Sequence, residues 1–446
     1  MTFQLGDQRL NRRAELCMDK IKGHPGRSFP KLFRQSSELE AFYRLLHNPQ
    51  VHLPDLEASL AADACRHLPA KGPVLVLHDT THICPTSKFK SIEEFEKDRG
   101  FFAHLSLLVC PERRHNEIFG VGGVHMWTRS EVAPKTYAHE GQRWIEQSLA
   151  VQKRMGSVSA IHIMDREGDV SSIWSTLLEA KQRFVIRAKF NRPIKDEQSK
   201  SRRLFDELHR KTGALVLERE IELGQHSASP LPRSNKAHPA RAKRKAHVVI
   251  SARLFDIHKN NHFSRPTEQT LPINVVHVLE KVRGKSPRDQ VEWVLLTSEP
   301  VKTEDDVLRV VDYYRQRWLI EEFFKGLKTG CHLEERLIAD AEAWYRLSLL
   351  YMFVSVRILN LRLLHRSYRR CSRAAAWALS PLQREILKAQ ARTKDRCLKS
   401  HRDYVEELAR LGGHIKSNGP PGWQTLLSGY LDLMLLELGW RLARKM

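Results

Sequence analysis

Tyr314, Arg317, Glu321 and Lys328 stand at offsets of 0, 3, 7 and 14 along one stretch of chain. At about 100° per helical residue they fall near roughly 0°, 300°, 340° and 320°, one narrow stripe that Glu322, at about 80°, does not join. A phenol, a guanidinium, a carboxylate and an ammonium thus share a face. Such a stripe is commonly a solvated face laced with ion pairs. Here it borders a buried side, marked by Ile320, Phe323, Phe324 and Leu327. Two further carboxylates stand where buried strands would deliver them: Asp79 follows Val74–Leu77 and His78, and Asp165 follows Ile161–Met164. Either aspartate alone is often only the cap of a turn or helix. With Glu321 they could set three carboxylates at one site. Hard oxygen donors, without a thiol or imidazole cluster, select Mg2+, with Mn2+ as its substitute. Two such ions suit in-line displacement at a phosphodiester, one activating the nucleophile and the other stabilising the leaving oxygen.

The elements that must position these groups are legible in outline. The first 60 or so residues read as helices, with Leu5, Leu10, Leu16 and Ile21 among Arg9, Arg12, Arg13 and Lys20, until Asn48-Pro49 breaks the pattern. Val74–Leu77 is a short apolar run, as expected of a strand buried on both faces. Leu105–Cys110, the Gly-rich Ile118–His125, Ala160–Met164 and Phe184–Lys189 are further strand candidates, with helices over Trp144–Met155 and Val170–Ala180. Strands mixed with crossover helices make this an α/β core. Between about 195 and 285 the pattern turns irregular around a basic stretch, Arg233–His247, read as an exposed loop in a β-rich insertion. Val291–Thr297 resumes the core. Thr303 caps the next helix, with Asp306 completing an acidic capping box, and that helix is expected to run to about Thr329. The remainder is mostly helical.

Composition bounds the partners. Lys and Arg number 74 against 52 Asp and Glu, a formal charge of +22, which calls for a polyanion: nucleic acid or an anionic membrane. The longest apolar stretches fall far short of the ~20 residues a membrane span needs, and no signal pattern opens the chain, so no membrane is expected. Seven scattered cysteines with no C-x-x-C pair argue against disulfides and structural zinc, and for a reducing, cytoplasmic setting.

The segments WVLLTSEP (Trp293–Pro300) and YYRQRWLIEEFFKGLK (Tyr313–Lys328) resemble bacterial DDE transposases of the insertion-sequence IS-four family, within it the group like the transposon Tn-five transposase. That group's Tyr-x2-Arg-x3-Glu-x6-Lys hallmark is matched by Tyr314, Arg317, Glu321 and Lys328. HDTT (His78–Thr81) resembles its first aspartate motif and DREGD (Asp165–Asp169) its second. LGD (Leu5–Asp7) fits its N-terminal DNA-binding unit, and GPPGW (Gly419–Trp423) its C-terminal region. Family members commonly carry an extra helix before LGD, whereas this chain begins four residues ahead of it, a departure that bears on end recognition.

The resemblance implies an α/β, ribonuclease-H-like catalytic core with a β-rich insertion, flanked by N-terminal and C-terminal helical regions. The expected divisions are a DNA-binding region at 1–66, core at 67–194 and 286–345, insertion at 195–285 and a dimerisation region at 346–446. It implies that Asp79, Asp165 and Glu321 bind the metals, and that Arg187, Lys189, Tyr314, Arg317 and Lys328 contact transposon-end DNA. Trp293 resembles the aromatic that stacks on a flipped base, although Val291, Trp293 and Leu295 also alternate as an ordinary core face. The implied activity is cut-and-paste transposition at the nucleoid: cleavage of double-stranded DNA at transposon ends, through a hairpin, and joining to target DNA by a homodimer in a paired-end complex. Two alternatives stand beside it, a catalytically silent end-binding regulator and a metal-dependent nuclease without strand transfer. His78 and His82 are expected to serve packing or hydrogen bonding rather than ligation.

Overall fold

The computed structural model describes the chain apart from residues 1, 24, 87–99, 113–116, 129–136, 196–201, 211–214, 224–243, 260–268, 282–289, 339, 367–378, 393–395, 416, 418 and 445–446. Most of the basic stretch Arg233–His247 therefore lies outside the described residues. The fold is mixed α/β with helical regions at both ends, consistent with a ribonuclease-H-like core. Two compact units divide it: Met1–Ile161 with Gln316–Met446, and His162–Arg315. Among the described residues, no helix is long and apolar enough to cross a membrane.

In the first unit the LGD motif builds the opening of a helix. Gly6 sits at φ +78°, a conformation that favours glycine. Asp7 Oδ1 then accepts from the backbone N–H of Arg9 and Leu10, capping Gln8–Gly23. Ala14, Cys17, Met18 and Ile21 face inward, while Arg9, Arg12 and Arg13 are exposed. Leu16 is exposed as well, so it is not part of the apolar stripe.

The strands of this unit are β1 (Val74–Ile83), β2 (Phe101–Val109) and β3 (Ile118–Trp127), an antiparallel meander in the order β3-β2-β1. Its glycines are steric. A Cβ on Gly120 would lie 2.6 Å from that of Ala64, on the helix Leu53–Arg66, so the backbone approaches as closely as it does only without a side chain. The long helix Ala341–Arg366 is tied to this framework by buried polar groups. Asn360 pairs with both backbone groups of Ile118, and Arg346 donates to the carbonyls of Leu46 and Val51 at the end of the helix Ser36–His47. Leu426, Leu427 and Leu433 of the last helix are buried, and Leu426 and Leu433 close a local core with Val405, Leu408 and Tyr430. Leu435, Leu436, Leu438 and Leu442 remain exposed.

The second unit begins within β4 (Ala160–Met164) and continues through β5 (Arg183–Arg187), β6 (Pro193–Ile194), β7 (Arg202–Arg203), β8 (Leu215–Leu223), β9 (Arg244–His258), β10 (Thr270–Glu280) and β11 (Glu292–Thr297). Their order is β4-β5-β11-β10-β9-β6-β7, with β8 on β9. The helix Ser171–Glu179 links β4 to β5. Thr303 and Asp306 form the expected reciprocal cap, each side chain accepting from the other's backbone N–H.

Each unit buries a histidine. Burial pushes His104 down to about 3, aided by nearby His125 and Arg143, and pushes His162 down to about 4. In the unfolded chain such a ring takes a proton below about pH 6.5, whereas the folded ring refuses it until far lower. The unfolded state therefore binds more protons, and stability falls as pH falls from about 6.5 toward 4. Urea titrations should show this loss, and His162→Leu should flatten it by up to about 1.4 kcal/mol per pH unit. An unchanged slope would mean that His162 is protonated in the folded state.

Candidate active site

The carboxylates of the first unit meet at a guanidinium. β1 continues past Leu77 to Ile83, so Asp79 lies within the strand, opposite Leu105, and not at its end. Thr80 N–H holds its Oδ1 at 2.8 Å, and its Oδ2 lies 3.4 Å from Arg317 Nη1. The other nitrogen of the fork, Nη2, donates to Glu321 Oε1, one helical turn on. A strand carboxylate and a helix carboxylate thus converge on one cation. Lys328 sits nearby, donating to the carbonyl of His82 and lying 3.6 Å from Glu334, whose carboxylate also accepts from Cys84 N–H. Beside Glu334, and partly buried, the Cys84 thiol is pushed up, burial being the larger cause.

The helix that carries this set is not continuous. It runs as Glu304–Arg315 and Trp318–Lys325, followed by a π turn over Gly326–Gly330. Buried Gln316 donates to the carbonyl of Pro111, and the chain turns there. The expected Glu322 orientation is what the structure shows: its buried carboxylate pairs with Arg362 and takes no part in the Asp79–Arg317–Glu321 set. His78 is buried against Ser106, and His82 stacks on Phe102.

In the second unit the two aspartates of DREGD do different things. Asp165, half-buried at the end of β4, accepts from Glu167 N–H and caps a short 3-10 turn. Asp169 is fully buried: its carboxylate accepts from the N–H of Lys189 at 2.7 Å and of Phe190 at 3.0 Å, and from the guanidinium of Arg192 at 2.7 Å. It pins the chain just beyond β5. Sequence reasoning missed this role, because an acidic motif does not reveal which of its carboxylates faces inward. Gly168 is equally fixed, since a Cβ there would meet Met164 at 2.6 Å.

With that segment anchored, strand alternation decides what shares a face. Arg187 pairs with Leu295, and Ala188 N–H donates to the carbonyl of Val294, which carries Arg187 and Lys189 to the side of Trp293 and Leu295. Trp293 is half-buried and meets buried Tyr314 edge-on at 5.4 Å. Arg166 stands in the same surroundings. Burial and neighbouring Arg187 lower its pKa, against the opposing pull of Tyr314, Asp165 and Glu292.

Residues 1–51 match the family described as Transposase DNA-binding, and residues 135–352 the family described as Transposase DDE domain. The chain is a DDE transposase. Among solved structures it is similar to a piggyBac transposase synaptic complex with hairpin DNA, determined by cryo-EM, at 10% identity and a TM-score of 0.35, covering 99% of this chain and 75% of that one. The transposase has DNA as its partner, in keeping with its net charge of +22. DDE transposase domains are generally dependent on divalent metal ions, and carboxylate oxygens such as those that Asp79 and Glu321 turn toward Arg317 are chemically suited to one.

The two DREGD aspartates should separate in a denaturation experiment. Asp169→Ala leaves the Arg192 guanidinium buried without its counter-ion and is expected to cost about 3–5 kcal/mol. Asp165→Ala loses only a cap, about 0.5–2 kcal/mol. Equal losses in urea melts would contradict the division of roles.

Proposed function

We propose that this transposase works by cutting and pasting: it binds transposon ends, cleaves there through a hairpin, and joins the ends to target DNA. Asp79, Asp165 and Glu321 are proposed as the ligands of two Mg2+ ions, with Mn2+ able to substitute. The observation that carries this is the convergence of Asp79 and Glu321 on Arg317. Two carboxylates turned toward one cation form an oxygen-donor set, and a divalent ion offers such a set a higher charge than a guanidinium does. When bound, the ions supply an activated oxygen nucleophile and stabilisation of the leaving oxygen.

The chain's own residues do the rest. Arg317 and Lys328 hold the phosphates beside the scissile bond, a role that suits a forked guanidinium and a point charge. Arg187 and Lys189 grip the end DNA, and Tyr314 supports Trp293 from its edge. The Trp293 ring stays partly open to solvent where Val294, Leu295 and Leu296 are buried, which favours stacking on an extruded base over a purely structural role. The exposed Arg9, Arg12 and Arg13 give the N-terminal region a basic face for DNA. We further propose a homodimer at the nucleoid, paired through the C-terminal region, whose exposed Leu435, Leu438 and Leu442 recur on one helical face. We assign this chain to the IS-four family on the Tyr-Arg-Glu-Lys spacing.

Asp79→Ala, Asp165→Ala and Glu321→Ala should each abolish Mg2+-dependent nicking of end DNA while leaving end binding in a gel shift largely intact. Near-normal nicking by any of them would remove that residue from the site. A wild-type protein that binds but never nicks would be a silent regulator, and one that nicks without forming joined products would be a nuclease without strand transfer.

Trp293→Ala should spare the first nick and slow hairpin closure. Loss of base stacking costs roughly 1–3 kcal/mol, or about 5- to 150-fold in a step that depends on it. Nicked DNA should accumulate, and an abasic site at the flipped position should partly restore hairpins because unstacking is then easier. Parallel loss of nicks and hairpins, with a lowered melting temperature, would make Trp293 structural only.

A further inference from the structure

A second constellation of donor atoms lies on the opposite face of β11 from Trp293. Glu292 and Val294 share that face, and His277 of β10 stands opposite Val294, so His277 and Glu292 are diagonal neighbours on one side of the sheet. Their side chains meet, with Nε2 2.9 Å from Oε1. From above, the helix Leu204–Arg210 brings His209, whose Nε2 lies 2.9 Å from the same Oε1. The three donor atoms all lie within 4.8 Å of one another. Among the described residues, no other group of three His, Cys, Asp or Glu side chains converges in this way.

We propose that His209, His277 and Glu292 bind a divalent transition-metal ion of the zinc class, at a site distinct from the carboxylate centre. Two imidazole nitrogens and one carboxylate oxygen form a donor set that zinc accepts with a water as fourth ligand. Mg2+, which demands oxygen donors and gives up its water reluctantly, is a poor match for it. Ligand atoms around a tetrahedral ion at roughly 2.0–2.1 Å are about 3.4 Å apart. Each Nε2–Oε1 distance of 2.9 Å would have to open by about half an ångström, with the two nitrogens settling at a similar spacing from each other. The framework is braced for such a load. The helix bearing His209 is held by buried Glu207, which accepts from Arg202 at 3.1 Å and Arg253 at 3.3 Å. The backbone carbonyl of Glu292 accepts from Arg187 at 2.9 Å. His277 is buried, whereas His209 and Glu292 keep 51% and 37% of their side-chain surface open, which leaves a path for the ion and room for the water.

Such an ion would join β10, β11 and the helix Leu204–Arg210 at one point. It would fix the strand position next to Trp293 without touching the DNA face. Its existence does not depend on the DNA chemistry proposed above.

The test uses the full-length protein in excess Mg2+, titrated with Zn2+ by calorimetry and with Co2+ by visible absorption. One equivalent per chain is expected, with the visible bands of a four- or five-coordinate Co2+ ion and a melting temperature raised by Zn2+. His209→Ala and Glu292→Gln should weaken binding at least about tenfold, the lower end of what changes even beyond the ligands cost. Both should lose the Zn2+-dependent rise in melting temperature. Because His209 is half exposed, its alanine variant should melt close to wild type in chelator, which separates loss of binding from loss of fold. Asp79→Asn and Glu321→Gln should bind Zn2+ as wild type does. Undiminished binding in His209→Ala, or no binding to wild type above that of Mg2+, would overturn the proposal and leave a hydrogen-bonded His–Glu–His cluster only.

Discussion

Carboxylates at close range repel one another unless a shared proton or a cation lies between them. In this chain the cation is Arg317, whose two terminal nitrogens reach Asp79 on β1 and Glu321 on the following helix. The interaction sets terms for the surrounding unit. β1 must run on past its apolar half to present Asp79, which β2 makes possible by pairing through Ile83. The helix Trp318–Lys325 must lie against the meander, and its apolar Ile320 and Phe323 are buried accordingly. Glu322 must be occupied elsewhere, since a further carboxylate at the site would add repulsion, and Arg362 takes it.

The second unit solves a different problem, that of presenting cations and an aromatic ring from one sheet face while keeping that face rigid. Alternation along β11 assigns Trp293 to one side and Glu292 to the other, with no freedom between them. Asp169 then fixes the segment after β5 through two backbone amides and a buried guanidinium, and Arg187 and Lys189 emerge from a braced strand end. Long cationic side chains lose much rotamer freedom on binding a phosphate. If Arg187 and Lys189 take phosphates as proposed, the anchored backbone beneath them would keep that loss confined to the side chains.

Much of this was legible in the sequence, wherever one period or one cap governs a segment. The buried runs Val74–Leu77 and Ile161–Met164, the Thr303–Asp306 cap and the outward turn of Glu322 from the Arg317–Glu321 pair all follow from local rules. What was not legible depended on partners distant in the chain. A helix continuous to Thr329 is what periodicity implies, yet the bond from Gln316 to the Pro111 carbonyl joins residues far apart in sequence, and the π turn at Gly326–Gly330 shifts Lys328. The outline of Asp169 as a buried anchor was invisible for the same reason, as was the meeting of His209, His277 and Glu292, which three separate elements supply. Leu426 and Leu433 of the last helix close a local core while Leu435, Leu436, Leu438 and Leu442 stay exposed, a division that composition alone does not make.

The central proposal is that Asp79, Asp165 and Glu321 serve one metal centre, and backbone cleavage by bound Fe2+ tests it most directly. Fe2+ in place of Mg2+, with ascorbate and peroxide, generates radicals that cut the chain close to the ion. The account predicts cuts flanking Asp79, Asp165 and Glu321 together, all suppressed by excess Mg2+. Cuts at only one of the three, or none that Mg2+ suppresses, would contradict it.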